Sequence, residues 1–216
     1  CNAFVAEGRA FCEACDLTVL PIGRACPTCA MPLDRESACR GCRQRPLPFA
    51  AAHAALAYGA ATTSALLRWK HGGHRHIAPV LAAYFAPLLA RAVGQGADLA
   101  CPVPLHPSRL RGRGFNQALD LLRSARRRSR PCDLAISCDA LERTVDTPAL
   151  GHEPPSRRRE IVAGAFAVKC PESVAGKHVL VVDDVMTTGA TLAECARVLL
   201  QAGARAVSVA ALARAV

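Results

Sequence analysis

The residues best suited to do chemistry in this chain lie between Val179 and Thr191, where the sequence reads VLVVDDVMTTGAT. Four apolar residues end in two adjacent carboxylates, Asp183 and Asp184. Val185 and Met186 lead into Thr187, Thr188, Gly189, Ala190 and Thr191. The threonines offer hydroxyl donors, Gly189 lets the backbone approach a ligand closely, and a helix starting near Ala190 would present free N–H groups and its positive dipole end. Such a turn cradles one phosphate, and the paired carboxylates can grip sugar hydroxyls or a hydrated magnesium ion. A generic strand–turn–helix with capping residues accounts for one of these threonines, but not for Asp-Asp followed by three hydroxyls around a glycine.

Cysteines form the second chemical group. Seven of the twelve lie in the first 42 residues: Cys1, then the pairs Cys12 and Cys15, Cys26 and Cys29, Cys39 and Cys42. Two-residue spacing lets both thiolates of a tight turn face one tetrahedral zinc ion. Disulfides are the rival, disfavoured in a reducing compartment. Cys26, Cys29, Cys39 and Cys42 make one complete site. Cys1, Cys12 and Cys15 would make a second that lacks one ligand, expected to lie in a segment preceding Cys1, since no initiator methionine is present. So small a module has little apolar core, and metal would supply its folding energy. Cys101, Cys132, Cys138, Cys170 and Cys195 show no ligand spacing and read as small hydrophobes in or near a core.

The elements that must position these groups follow from periodicity. Val179 to Val182 reads as a buried parallel strand, short and β-branched, so that Asp183 and Asp184 stand at its carboxyl end, where ligands bind in open α/β sheets. A helix over 190–202 with Gly203 as its cap leads to a strand over 206–212. Upstream, 53–58 and 99–103 read as strands, 62–70, 78–93 and 117–127 as helices, and 102–107 as a proline-stiffened loop. Alternating β and α elements predict a parallel α/β sheet flanked by helices over 50–216, preceded by the cysteine-rich module over 1–45.

Composition sets the outer limits. Hydrophobic residues make up 51% of 216, enough for one sizeable core, and the net charge of +10 favours anionic partners or serves solubility. The apolar stretch 77–90 carries two prolines and is too short to span a bilayer, so it reads as a core helix. No signal peptide is visible, and a cytoplasmic protein is expected.

The Asp183–Thr191 run resembles the phosphoribosyl-pyrophosphate (PRPP) signature of type I phosphoribosyltransferases, in which the acidic pair holds the ribose 2- and 3-hydroxyls and the threonine turn wraps the 5-phosphate. Together with the cysteine pairs, Trp69-Lys70-His71-Gly72-Gly73, Val103-Pro104-Leu105-His106-Pro107, Arg113-Gly114-Phe115-Asn116-Gln117-Ala118 and Gly164-Ala165-Phe166, the chain resembles the ComF family of competence-associated, phosphoribosyltransferase-like proteins. That resemblance implies a type I phosphoribosyltransferase fold behind a double zinc ribbon, PRPP bound with magnesium, and for some relatives a role in uptake of single-stranded DNA. It gives Asp183, Asp184 and Lys70 catalytic roles. Lys70 would neutralise pyrophosphate, although a solvated lysine is the plain alternative. The loop from Val103 to His106 would hold pyrophosphate through backbone N–H groups. Arg109, Arg111 and Arg113 are an anion clamp or an exposed basic turn. Asn116 and Gln117 orient ribose or cap the following helix.

The segment from Thr147 to Val162 departs from the family pattern: Leu150 stands for glutamine, Pro154-Pro155 for Ser-Arg, Arg157 for glutamate and Ile161 for asparagine. It corresponds to a loop at the approach to the site. Phosphoribosyl transfer would proceed by cleavage at the anomeric carbon, with positioning and electrostatics supplying catalysis and the acceptor supplying the nucleophile. Two other readings stand beside it. A single-stranded-DNA-binding module would use 109–113, 123–130 and 157–159 for charge, with only Trp69 and Phe115 as stacking aromatics near them. A PRPP-sensing regulator would keep the site and lose the reaction.

Overall fold

The computed structural model describes residues 11–33, 39–44, 46–71, 73–129, 133–148 and 153–215. Short helices α1 (Glu13–Asp16) and α2 (Arg40–Gln44) belong to the cysteine-rich segment, followed by β1 (Ala51–Ala57), α3 (Ala60–His71), α4 (Ile77–Gly94) and β2 (Leu99–Pro102). Next come α5 (Pro107–Arg113), α6 (Gln117–Arg128), β3 (Ala135–Ile136), β4 (Leu141–Arg143), α7 (Pro155–Val162) and β5 (Phe166–Val168). The chain ends with α8 (Pro171–Val174), β6 (His178–Met186), α9 (Ala190–Gln201) and β7 (Ala206–Arg214).

Five strands pair in parallel in the order β1-β7-β6-β2-β3. The central strands are buried on both faces, as their unbroken apolar runs dictate: 179–182 and 209–213 are almost wholly enclosed. One face carries α3, α4 and α6 around Trp69, Phe85, Leu121 and Leu180. The other carries α9 and a small antiparallel pair, β4 with β5, around Val181, Cys195, Leu199 and Phe166.

The cysteine-rich segment is joined to the β1 edge. Ile22 donates its N–H to the Ala55 carbonyl and Ala57 donates to that of Leu20, both at 2.8 Å. Ala52 donates to the Pro27 carbonyl, also at 2.8 Å. Cys26, Cys29 and Ala30 therefore enter the same hydrophobic cluster as Val181, Met186 and Ala190.

Several sequence expectations change in detail. The carboxylate-bearing strand extends to Met186, so Asp183 and Asp184 lie inside β6 rather than after it; β7, equally long, keeps pairing as far as Met186 with Arg214. The 107–113 stretch is a helix, begun by Pro107 in the first turn with His106 as its N-cap and closed by Gly114 at φ +80°. The 155–162 stretch is likewise helical. Cys101 and Cys195 are core residues, but Cys138 is exposed; Cys132 lies outside the described residues. Trp69 and Phe115 stack on each other at 6.5 Å and are buried, so neither is available to stack on a nucleic-acid base. Among the described residues α4 is long and apolar enough to cross a membrane by length and composition, and here it packs on α6 and on the sheet.

Candidate functional site

Successive side chains of a strand point to opposite faces, so the two carboxylates of β6 diverge. Asp184 faces α3, where Lys70 Nζ lies 2.8 Å from its Oδ2, and the half-buried Arg113 at the end of α5 shares that negative field. Asp183 lies on the α9 face within the field of Arg143. Burial, with the neighbouring Asp184 charge, pushes Asp183 up to about 7 against the pull of Lys70 and Arg143. Its Oδ1 accepts the Asp184 N–H at 2.8 Å.

Beyond the pair, Val185 to Leu192 line a crevice together with Asp183. Thr187, Thr188 and Thr191 are half-buried around it. Gly189 is required by its φ of +78°; a Cβ there would also press on the flexible tip of Met186, whose Cε would lie 2.9 Å away and would have to shift. It caps α9 with no side chain, leaving that helix's first turn facing the crevice, with Ala190 N–H at 3.4 Å from Thr188 Oγ1.

The neighbouring loop is built from β2. Val103 N–H donates to the Val182 carbonyl at 2.8 Å, setting Val103, Pro104, Leu105 and His106 beside the end of β6. Asn116 both caps α6, accepting from Leu119 N–H at 3.1 Å, and donates its Nδ2 to the Val103 carbonyl at 2.9 Å. Capping is thus what Asn116 does here, and it braces the loop as well. Gln117 is buried at the start of α6, and among the described residues its Nε2 has no partner. His106 lies 3.4 Å from Asp146, and Arg109 pairs with the same carboxylate at 3.2 Å while donating to the Thr147 carbonyl. Arg109 is therefore engaged with the β4 side, Arg113 is half-buried within the field of Asp184, and Arg111 is exposed.

Sequence reasoning did not single out Arg143. It is nine-tenths buried in β4, bonded to Thr147 Oγ1, and its guanidinium lies 5.2 Å from the centre of the Phe166 ring. A lone arginine in a short strand carries no pattern that would reveal this.

Cys26, Cys29, Cys39 and Cys42 bring their four Sγ atoms within 4.8 Å of one another. The Cys26–Cys42 and Cys29–Cys39 separations are 3.8 and 3.6 Å. A tetrahedral ion with bonds of about 2.3 Å to sulfur needs edges of about 3.8 Å, so the donor set fits zinc in both chemistry and size. A hydrogen bond from the Cys42 N–H lowers Cys39 to about 7, while burial raises Cys29 and Cys42. Cys12 stands at the N-cap of α1 and Cys15 within it, and the two interact with each other; Cys1 lies outside the described residues.

The phosphoribosyl transferase domain family matches residues 141–215, from β4 through the crevice to the end of β7. The DNA utilization protein YhgH of Escherichia coli strain K12 is 31% identical over 207 residues, covering 92% of this chain and 87% of that protein. Its Salmonella typhimurium counterpart is 32% identical over 203 residues with the same coverage. Competence protein ComFC of Bacillus subtilis strain 168 is 25% identical over 204 residues, 89% of this chain and 78% of that protein. With a phosphoribosyl transferase domain at its C-terminal side, a four-cysteine cluster ahead of it and relatives matched over 78–87% of their length, the chain belongs to the ComF family.

Proposed function

We propose that the protein binds PRPP with magnesium in the Asp183–Thr191 crevice and transfers its phosphoribosyl group to an acceptor. The observation that carries this reading is the convergence on one strand end of two diverging carboxylates, the Lys70 ammonium on Asp184, and a glycine-capped helix start with three threonines around it. In this reading Thr187, Thr188, Gly189, Ala190 and Thr191 hold the 5-phosphate. Asp183 and Asp184 hold the ribose hydroxyls, and Val103, Pro104, Leu105 and His106 present backbone to pyrophosphate. Lys70 and Arg113 oppose the negative charge of the leaving group, Asn116 fixes the 103–106 loop, and Gln117 follows it at the buried start of α6. Magnesium, when bound with pyrophosphate, would neutralise the departing charge. The carboxylates on the ribose face stabilise positive charge developing on the sugar ring. The division into a zinc module over 1–45 and a transferase domain over 50–216, and a reducing cytoplasmic setting that keeps the thiols available to metal, complete the proposal.

Titration calorimetry of the full chain with magnesium and PRPP tests it. Replacing Asp183 and Asp184 together by Asn should weaken binding by roughly 100-fold, about 2.7 kcal/mol, with the circular dichroism spectrum unchanged. Equal affinity in the double variant would remove PRPP from this crevice.

A second reading has its own observation. Arg75, Arg123 and Arg127 line a cleft between the start of α4 and α6, with Arg126 and Arg128 exposed beside it. Arg123, Arg126 and Arg127 recur at helical spacing and so share one side of α6. The relatives' names speak of DNA utilization and competence. We infer that this side takes the phosphates of single-stranded DNA, with the transferase crevice left to PRPP.

A further inference from the structure

Arg214 closes β7, and only 5% of its surface is exposed. Its Nε donates to the Cys29 carbonyl at 2.9 Å, reaching across 185 positions of sequence into the cysteine knuckle. Its Nη1 donates to the Met186 carbonyl at 3.2 Å and also to the carbonyls of Thr187 and Ala215. One side chain thus grips the cysteine turn and the first residues of the crevice loop together. A buried guanidinium held mainly by carbonyls needs a counter-charge. Four thiolates around a divalent ion carry a formal charge of about −2 and supply it.

The geometry of the loop gives this grip a consequence. In a planar trans peptide the C=O of one residue and the N–H of the next point in opposite directions. With the Met186 and Thr187 carbonyls drawn to Arg214, the N–H groups of Thr187 and Thr188 turn away from it, toward the open side of the turn. Those are the donors an anion in the crevice would meet.

We propose that Arg214 is a positioning residue that couples the four-cysteine metal centre to the phosphate loop. The metal–thiolate charge holds the guanidinium, the guanidinium holds two loop carbonyls, and the loop N–H groups are thereby fixed for ligand. The proposal rests on the reading of this crevice as a phosphate site. It implies coupling between zinc and PRPP although none of the four cysteines lines the crevice among the described residues, and linkage requires that coupling to be reciprocal.

The test uses the full-length chain, zinc-loaded and zinc-stripped, with R214K and R214M as variants. Three quantities are read: affinity for magnesium–PRPP by calorimetry, zinc affinity by chelator competition, and amide hydrogen exchange over 186–190. Zinc-loaded wild type should bind magnesium–PRPP roughly 10-fold more tightly than stripped protein, and magnesium–PRPP should raise zinc affinity by the same factor. R214K keeps the charge but loses the planar fork, so both factors should fall toward one and loop amides should exchange faster. If R214M or the stripped protein fails to fold, zinc-loaded R214K decides alone: faster loop exchange supports the coupling, and wild-type exchange overturns it. If zinc-loaded wild type does not bind PRPP, the phosphate reading falls. The exchange comparison then still judges Arg214, and unchanged loop protection in R214K overturns its positioning role.

Discussion

The cysteine knuckle and the Asp183–Thr191 loop lie on one hydrophobic cluster, yet they dispose of their polar groups in opposite ways. The knuckle turns four sulfurs inward upon a common point. The loop turns its hydroxyls, one carboxylate and a helix start toward an open crevice. A centre whose donors are all consumed internally can brace a fold but has no free position for substrate, whereas a loop whose donors are unspent can bind but is poorly braced by itself. Arg214, bonded to both, joins the cysteine turn to the crevice loop.

The largest effect should come from breaking the closed region. Elemental analysis should find at least one zinc per chain. Chelation, or Cys39→Ser, should lower the melting temperature by roughly 10 °C or more, because structural zinc contributes its binding free energy directly to folding. An unchanged melting curve with four freely titrating thiols would show that packing alone shapes the knuckle, and the contrast would collapse.

A middle-sized effect should come from titrating the open region. Asp183, raised to about 7 from an ordinary 3.8, stays protonated in the folded chain between those values while the unfolded chain releases its proton. The folded form binds more protons across that window, so stability falls as pH rises through it. A ligand that needs the ionised carboxylate should gain affinity in the same direction, by up to about 10-fold per pH unit below 7. Urea melts at pH 5 and 8, with magnesium–PRPP titrations at pH 6 and 8, should show both trends in wild type. D183N should flatten the stability slope. Equal slopes in the two proteins would assign the titration to another group.

The smallest effect concerns the charged side of α6, which belongs to neither region. Replacing Arg126, Arg127 and Arg128 by Gln should weaken single-stranded DNA binding a few-fold at moderate salt and lower the salt slope by about 2 in log units, equally for all sequences. Fluorescence anisotropy at several salt concentrations reads this. Salt-insensitive binding would contradict a phosphate-based contact.

The two regions also differ in how readily the sequence discloses them. Cys26, Cys29, Cys39 and Cys42 were readable as one site because ligand spacing is a local pattern. The threonine–glycine turn was readable for the same reason. The strand end was placed too early, since the apolar run stops at Val182 and the paired carboxylates look like a terminus. Only the length of β7, which continues to Arg214, shows that pairing goes on past them. The helix at 107–113 was hidden by Pro107, Gly112 and the flanking Pro104 and Gly114, which signal a turn equally well. Arg143 and Arg214 were invisible, because each is a single charged residue at the end of a strand, and contacts that distinguish it lie far away in sequence: Phe166 for Arg143, Cys29 and Met186 for Arg214. Long-range hydrogen bonds of that kind leave no periodic trace.

The sheet order carries a consequence for how the molecule is made. β1, formed early in the chain, pairs in the sheet with β7, formed last. At synthesis rates of about 5–20 residues per second, the cysteine turn waits roughly 10–40 s before the arginine that will hold it, 185 positions later, leaves the ribosome. During that interval β1, on which the knuckle docks through Ala52, Ala55 and Ala57, lacks the strand it pairs with. The crevice loop is likewise unbraced until the final strand inserts between its two neighbours. Bracing of the crevice loop therefore waits for the last strand of the described sheet, whereas the four-cysteine turn precedes the first.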